Sequence, residues 1–211
     1  MGHGICAICG KVKETGREHV PPRGLFLKPR PTNTLTVPLC SGCNHSYHLD
    51  DEYFRVYVAA GATPGTKLMR LWKEKVVGSS LARSGGLKGR LQDEYDQLVE
   101  HAAKNPLELF GGGHLPPELL PLVQGFDAKR INRVVAKIVR CLYFHHKGEV
   151  LDAGLEIDVS PLSEETWNRT MSEPLGEVGH DREFVYREEG ESPTVWRLIF
   201  YEHHAFTVAV Q

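Results

Sequence analysis

The sequence of 211 residues contains no apolar run close to the roughly 20 residues that a membrane-spanning helix needs. Its first residues, Met-Gly-His-Gly-Ile-Cys, lack both the basic and the apolar segment of a secretory signal peptide. We therefore expect a cytoplasmic protein with no membrane partner. Because disulfides are rare in a reducing cytoplasm, the five cysteines are expected to be free thiols or metal ligands.

A nucleotide-binding signature is also missing. The glycine run Gly111 to Gly113 follows no predicted strand and precedes no Gly-Lys-Ser or Gly-Lys-Thr, so we interpret it as a loop. The net charge of −2 is uninformative as a total, but its distribution is uneven. Residues 1–150 hold 21 Lys and Arg against 14 Asp and Glu, whereas residues 151–211 hold 4 against 13. A basic body suits binding to the phosphates of DNA, although a merely uneven surface gives the same counts.

The cysteines that are present fall into two pairs with the spacing of metal ligands. Cys6 and Cys9 form one Cys-x-x-Cys, Cys40 and Cys43 form the other, and thirty residues lie between the pairs. Four thiolates at this spacing predict a tetrahedral structural zinc site. A redox motif needs only one such pair beside a βαβ pattern, which the sequence lacks. The fifth cysteine, Cys141, lies on the apolar face of a predicted helix and is expected in the core.

The segment between the pairs predicts two strands joined by a loop. Glu18-His19-Val20 runs into Pro21-Pro22, a turn-rich stretch follows, and the β-prone residues 34–37 lead to the second pair. A helix is predicted to begin at Cys43. Neighbouring strand residues point to opposite faces, so Glu18 and His19 share a site only if the strand twists strongly or ends there. The two prolines favour an early end.

In combination these parts resemble the zinc-stapled branch of the HNH endonucleases. The resemblance is carried by Cys-x-x-Cys, Glu18-His19 before a proline, a loop asparagine, and Leu-Cys-x-x-Cys-Asn44, from Cys6 to about His48. The active site of that family is a ββα-metal unit. The resemblance therefore implies an N-terminal unit of this fold and hydrolysis of phosphodiester bonds in DNA.

The resemblance also implies a catalytic metal ion. Glu18 would be its first ligand and Asn44, directly after the last cysteine, the second; His48, four residues further along the same helix face, is a rival for that role. Oxygen ligands suit Mg²⁺ or Mn²⁺, which would polarise the phosphate and stabilise the leaving oxygen. Asp51 and Glu52 are near enough to be considered as further ligands, but we expect a helix-capping or surface role for both.

His19 is implied as the general base and Asn33 as the residue that braces its imidazole. A neutral imidazole, with a pKa near ~6.5, can take a proton from water at cellular pH. The amide of Asn33 would hold the ring in the useful tautomer, and Thr34 competes with Asn33 for this place in the loop. Ordinary structural roles are open to the same residues: His19 on a strand surface, Asn33 in a turn and Asn44 as a helix cap.

The remainder of the chain predicts helices followed by strands. The strongest helix follows Asp127; one side is apolar and the other side is basic and expected to be solvated. Its apolar residues are Ile131, Val134, Val135, Ile138, Val139 and Leu142, and its basic residues are Arg130, Arg133, Lys137 and Arg140. A further helix is predicted over about 87–104, and a short one within 161–171. Strands are predicted over 155–159, 183–186, 195–201 and 205–210, the last two as a hairpin.

The predicted fold class is α+β. Residues 1–60 are expected to form an HNH-like ββα-metal module with a structural zinc, and residues 61–211 a helical domain with a small antiparallel sheet. The predicted function is a divalent-metal-dependent DNA endonuclease; the alternative is a zinc-ribbon-like module that binds DNA or protein without catalysis. The second domain is expected to recruit DNA, a partner protein or a second copy of the chain. One site cuts one strand at a time, so double-strand cleavage suggests a homodimer.

Overall fold

The computed structural model describes residues 2–60, 65–81, 85–86, 89, 126–179, 181–190 and 194–211. Helices and two antiparallel sheets make up this part of the chain, which confirms the α+β fold class. The chain divides into two compact units, one of Met1–Asp51 with Asn132–Gln211 and one of Glu52–Ile131. The sequence predicted a single boundary near residue 60, which differs from these two units, and that division stays a prediction.

The first sheet carries the cysteine pairs. It contains β1 (Gly2–Ile5), β2 (Val12–Val20) and β3 (Leu35–Cys40), antiparallel in that order. The first pair lies in the turn between β1 and β2, and the second spans the junction of β3 with α1 (Ser41–Ala60). The predicted order of strand, loop, strand and helix is confirmed, although α1 begins two residues before Cys43. The strand β1 was not predicted, because two glycines in four residues give little strand signal.

The register of β2 separates the side chains of Glu18 and His19. The strand ends at Val20, directly before the two prolines, so both residues lie inside it. His19 pairs with Thr36 and Glu18 pairs with Val37 of β3. Because successive strand residues point to opposite faces, the carboxylate and the imidazole project from opposite faces of the sheet.

The long helix α3 (Ala128–Lys147) has the predicted apolar stripe. All six predicted stripe residues are buried, and so is Cys141, as predicted. Asp127 caps the helix, since its carboxylate accepts a hydrogen bond from the Lys129 N–H at 2.9 Å. The helix stops before Gly148, whose φ of +72° favours glycine. The predicted solvation is wrong for Lys137, whose side chain is 1% exposed because it is enclosed with two carboxylates.

The second sheet lies in the same unit as the first. Its strands are antiparallel in the order β4-β8-β7-β6-β5. They are β4 (Ile157–Pro161), β5 (Gly176–Val178), β6 (Phe184–Glu189), β7 (Thr194–Phe200) and β8 (His204–Val210). The helix α4 (Glu164–Ser172) lies between β4 and β5 in the chain. The predicted hairpin is confirmed: its turn places Tyr201 and Glu202 at positive φ, as tight hairpin turns require.

The second unit contains shorter helical segments. They are α2 (Lys67–Leu71) and a π-helical segment, Trp72–Leu81. Thr66 caps α2, because its hydroxyl accepts a hydrogen bond from the Met69 N–H at 3.2 Å. The helix predicted over about 87–104 and the loop Gly111 to Gly113 lie outside the described residues, apart from residue 89. Among the described helices, none combines the length and the apolar character needed to cross a membrane.

Candidate metal centre and polar cluster

The two cysteine pairs form one cluster. The Sγ atoms of Cys6, Cys9, Cys40 and Cys43 all lie within 4.8 Å of one another. A tetrahedral zinc ion with Zn–S bonds of about 2.3 Å needs sulfur atoms roughly 3.8 Å apart, so the cluster fits such an ion. Gly10 turns the first knuckle at a φ of +68°, and its N–H donates to the Cys6 carbonyl at 2.9 Å. The four cysteines can therefore hold a metal ion such as zinc.

The ionisation of the thiols supports a cation at this place. Burial opposes ionisation of Cys6, but N–H groups directed at its sulfur outweigh burial and lower the pKa of the thiol to about 6. Burial and the neighbouring sulfurs raise the pKa of Cys43 instead. Four crowded sulfurs cannot all carry negative charge without a compensating cation, and a metal ion removes this conflict.

A second polar cluster lies on the face of the sheet that carries Glu18. The Lys137 ammonium donates to Glu18 Oε1 at 2.7 Å and to Asp51 Oδ2 at 2.8 Å. The lysine side chain is 1% exposed, and the two carboxylate side chains are 15% and 18% exposed. The expected capping or surface role of Asp51 is therefore wrong, because this residue faces α3. The cluster joins β2, α1 and α3.

A neighbouring ion pair extends this cluster along α1 and α3. Arg133 pairs with Asp50 and also donates to the Ser46 carbonyl at 3.0 Å. The Tyr47 ring lies between the two basic residues, 4.5 Å from the Arg133 guanidinium carbon and 5.3 Å from the Lys137 Nζ. These distances suit cation–π contacts. The polar contacts thus fix the beginning of α1 against α3.

Around Lys137, one ammonium group faces two carboxylates, those of Glu18 and Asp51. Burial raises the pKa of Asp51 to about 6, although the Lys137 ammonium opposes that rise. Burial alone would lower the pKa of Lys137, but Asp51 and Glu18 outweigh it and raise the value. Asp51 Oδ1 is buried and has no hydrogen-bond partner among the described residues. Lys137 is therefore held as a cation by two carboxylates.

His19 lies on the opposite face of the same strand. Its side chain is half-buried, and Nδ1 is buried without a hydrogen-bond partner in the described part of the chain. Burial and the guanidinium groups of Arg23 and Arg30 lower the pKa of the imidazole, while Glu18 opposes that shift. His19 is therefore neutral at cellular pH, the state that a general base requires.

A groove with Arg17 in its lining lies beside the strand partner of His19. A cavity of about 530 Å³ is lined by residues that include Arg17 and Thr36, and Thr36 is the strand partner of His19. Arg17, Arg23 and Arg30 are all exposed, and none forms an ion pair with another described residue. Their charges are available to an anionic ligand. The sequence placed no arginine at the site, since these three lie at no motif position of the resemblance.

The predicted bracing residue, Asn33, contacts another element. Its amide N–H donates to the Glu177 carbonyl at 3.2 Å, and its side-chain oxygen accepts from the Gly179 N–H at 3.1 Å. Both partners belong to β5 and the turn after it. Asn33 thus joins the loop after β2 to the second sheet, and its predicted role beside His19 stays a prediction.

The contacts of Asn33 predict a stability effect. Asn33→Ala removes two hydrogen bonds and is expected to lower the free energy of unfolding by about 1 kcal/mol, because both bonds are solvent-exposed. Thr32→Ala is the matched control, since Thr32 is an exposed neighbour. Urea denaturation measures both. Equal stability of the two variants would contradict a structural role for the Asn33 amide.

The structure places the three predicted ligands of a catalytic ion in different surroundings. Asn44 and His48 are exposed on α1, whereas the Glu18 carboxylate is held by Lys137. Within the described residues, His, Cys, Asp and Glu side chains converge in groups of three or more only at the four cysteines. The Glu18 oxygen that Lys137 holds is not free to bind Mg²⁺ or Mn²⁺, and the catalytic ion stays a prediction.

Comparisons of the chain with family models, curated proteins and solved structures found no match. The geometry of the chain itself therefore defines the class: it is an α+β protein with a four-cysteine cluster. A half-buried histidine lies on one face of β2, and a buried lysine packs against the opposite face. Sequence reasoning named Lys137 and Asp51 but missed the contact between them, because Lys137 lies on the same basic helix side as Arg133 and Arg140.

Proposed function

We propose that this protein is a DNA endonuclease that hydrolyses phosphodiester bonds with His19 as general base. The observation that carries the proposal is a half-buried imidazole, close enough to Arg23 and Arg30 for their charges to lower its pKa, beside a groove that Arg17 lines. The resemblance to the HNH endonucleases supports the same reaction. We further propose that the cysteine cluster holds a structural zinc ion.

The groove explains how a phosphate would be bound. DNA presents a continuous row of phosphates, and exposed arginines that lack carboxylate partners can neutralise them. Arg17 and His19 lie two positions apart on one strand and so share a face of the sheet. The charges of Arg23 and Arg30 act on the imidazole, so a phosphate held by either of them would lie near it.

The chemistry then follows from the neutral state of His19. The imidazole accepts a proton from water as the water oxygen attacks phosphorus, the bond from phosphorus to the 3′ oxygen breaks, and the 3′ oxygen leaves and takes a proton from solvent. The guanidinium groups stabilise the negative charge that develops on the phosphate. Burial and the nearby arginines keep the imidazole unprotonated before the step. A base of this kind contributes about a hundredfold to ten-thousandfold in rate.

A requirement for Mg²⁺ or Mn²⁺ is implied by the resemblance and remains part of the proposal. Lys137 already holds the Glu18 carboxylate, so the chemistry above uses only His19 and the arginines. The same contact favours a second candidate function, a zinc-containing module that binds DNA or protein without catalysis. In that module Glu18 would be purely structural.

Supercoiled plasmid distinguishes the two functions. The wild-type protein, with its zinc content measured, is incubated with plasmid in EDTA, Mg²⁺ and Mn²⁺, and the products are separated by electrophoresis. An endonuclease converts the plasmid to open-circle or linear DNA. A binding module shifts the mobility of the plasmid at low salt, loses that shift as salt rises, and leaves the DNA intact.

A further inference from the structure

Lys137, which is buried, binds the Glu18 carboxylate, the group that the resemblance implies as a metal ligand. Lys137 Nζ lies 2.7 Å from Glu18 Oε1, the distance of a strong charge-assisted hydrogen bond. A divalent ion bound to the same carboxylate would lie within a few ångströms of the ammonium, and the two cations would repel each other. Lysine and metal therefore compete for Glu18.

The helix that carries the lysine is firmly packed. Lys137 lies in the middle of α3, next to Ile138 and one turn before Cys141, both of which are about 1% exposed. To release the Glu18 carboxylate, the ammonium would lose one of its two carboxylate partners while it stays in a buried position. Such a loss weakens the pairing of a buried charge, which is unfavourable.

The two faces of β2 also have different surroundings. Glu18 projects toward α3, whereas His19 projects from the opposite face, on the side of the groove that Arg17 lines. An ion bound by Glu18 would thus be separated by the strand from the water that His19 activates. The geometry gives Glu18 no direct contact with the proposed reaction.

We propose that Lys137 is the permanent cation of the Glu18 and Asp51 carboxylates and that it excludes divalent metal ions from Glu18. Lys137 acts as a positioning residue, because it fixes the strand that carries His19 to α1 and α3. Any ion that the reaction uses is bound elsewhere. The positioning of His19 for catalysis rests on the proposed function. The exclusion of metal ions from Glu18 does not, because it is independent of DNA cleavage.

Manganese binding tests this inference without an activity assay. Zinc-loaded wild-type protein, Glu18→Gln, Lys137→Met and the double variant are titrated with Mn²⁺, and free Mn²⁺ is measured by electron paramagnetic resonance. Wild type and Glu18→Gln are expected to bind Mn²⁺ equally. Lys137→Met is expected to gain one site, at least tenfold tighter than any wild-type site, and the double variant is expected to lose it.

The outcomes separate this inference from the nuclease proposal. A wild-type Mn²⁺ site that disappears in Glu18→Gln would overturn the inference, and so would a folded Lys137→Met protein that gains no site. If Lys137→Met does not fold, the comparison of wild type with Glu18→Gln still decides. Lys147→Met is the matched control, since this exposed lysine of the same helix pairs with Glu188. A purely structural Lys137 would change stability without creating a metal site.

Discussion

Cys9→Ser is expected to abolish metal binding and the cooperative folding of the unit that contains the first sheet. Structural zinc contributes about 10–16 kcal/mol of apparent binding energy in small zinc-binding peptides, whereas a whole domain is typically stable by only about 5–15 kcal/mol. The cysteines tie the turn between β1 and β2 to the junction of β3 with α1. Loss of one ligand should therefore remove most of the stability of this region.

Metal content and thermal unfolding measure this effect together. The wild type is expected to hold one zinc ion per chain and to unfold cooperatively, and a chelator strong enough to remove zinc should reproduce the variant. Cys141→Ala is the matched control, because Cys141 is buried but lies outside the cluster. That variant should keep its zinc and lose about 1 kcal/mol of stability. A metal-free Cys9→Ser protein as stable as the wild type would contradict a structural metal.

Lys137→Met is expected to lower the free energy of unfolding by about 3–5 kcal/mol, because it leaves two mostly buried carboxylates without their cation. For a chain of this length, that loss corresponds to a fall in Tm of roughly 6–20 °C. Methionine matches the lysine stem in volume, so the effect reports the charge rather than the packing. Neutralising the partners in Glu18→Gln and Asp51→Asn should restore much of the loss in the combined variant.

The loss of unfolding free energy should depend on whether the replaced lysine of α3 is buried or exposed. Lys147 is 47% exposed and pairs with Glu188 at 3.1 Å, so Lys147→Met should cost only about 0–1 kcal/mol. Urea denaturation of the two variants provides the comparison. If Lys137→Met proves as mild as Lys147→Met, the cluster around Lys137 is not the internal ion network described above.

The elements with strong periodic patterns could be predicted from the sequence. The apolar residues of α3 recur at intervals of three and four, Asp127 and Gly148 mark its ends, and all of its stripe is buried. The cysteine spacing predicted the cluster in the same way, because two residues between ligands allow a tight turn around one ion. The C-terminal hairpin also followed from local pattern.

The contacts that depend on distant partners could not be predicted. Lys137 finds its carboxylates 119 and 86 positions away in the chain, at Glu18 and Asp51. A basic residue on an amphipathic helix is usually solvated, so the local pattern favoured the wrong environment. Asn33 likewise finds the Glu177 carbonyl 144 positions away, where local sequence predicts only a turn or a loop residue.

These distant contacts alter the interpretation of the site more than that of the fold. The sequence places Glu18 and His19 side by side, and the resemblance assigns them to one catalytic centre. In the structure Glu18 belongs to an internal ion cluster, whereas His19 lies on the other face, near the groove that Arg17 lines and within the influence of Arg23 and Arg30. The proposed nuclease thus depends on His19 and the arginines, with Glu18 in a supporting position.

His19 is expected to activate water for the hydrolysis of DNA. The most direct measurement is the initial rate of plasmid cleavage by wild type, His19→Ala and His145→Ala, side by side in EDTA, Mg²⁺ and Mn²⁺. His145 is an exposed histidine at the end of α3 and serves as the matched control. Zinc content and thermal unfolding are checked for all three proteins, so that a folding defect is recognised.

We expect wild type and His145→Ala to cleave the plasmid at the same rate, and folded, zinc-loaded His19→Ala to be slower by about a hundredfold to ten-thousandfold. Cleavage by His19→Ala at the wild-type rate would contradict the role of the imidazole. Intact plasmid with wild-type protein under all three conditions would contradict the nuclease and leave the binding module as the function that the site supports.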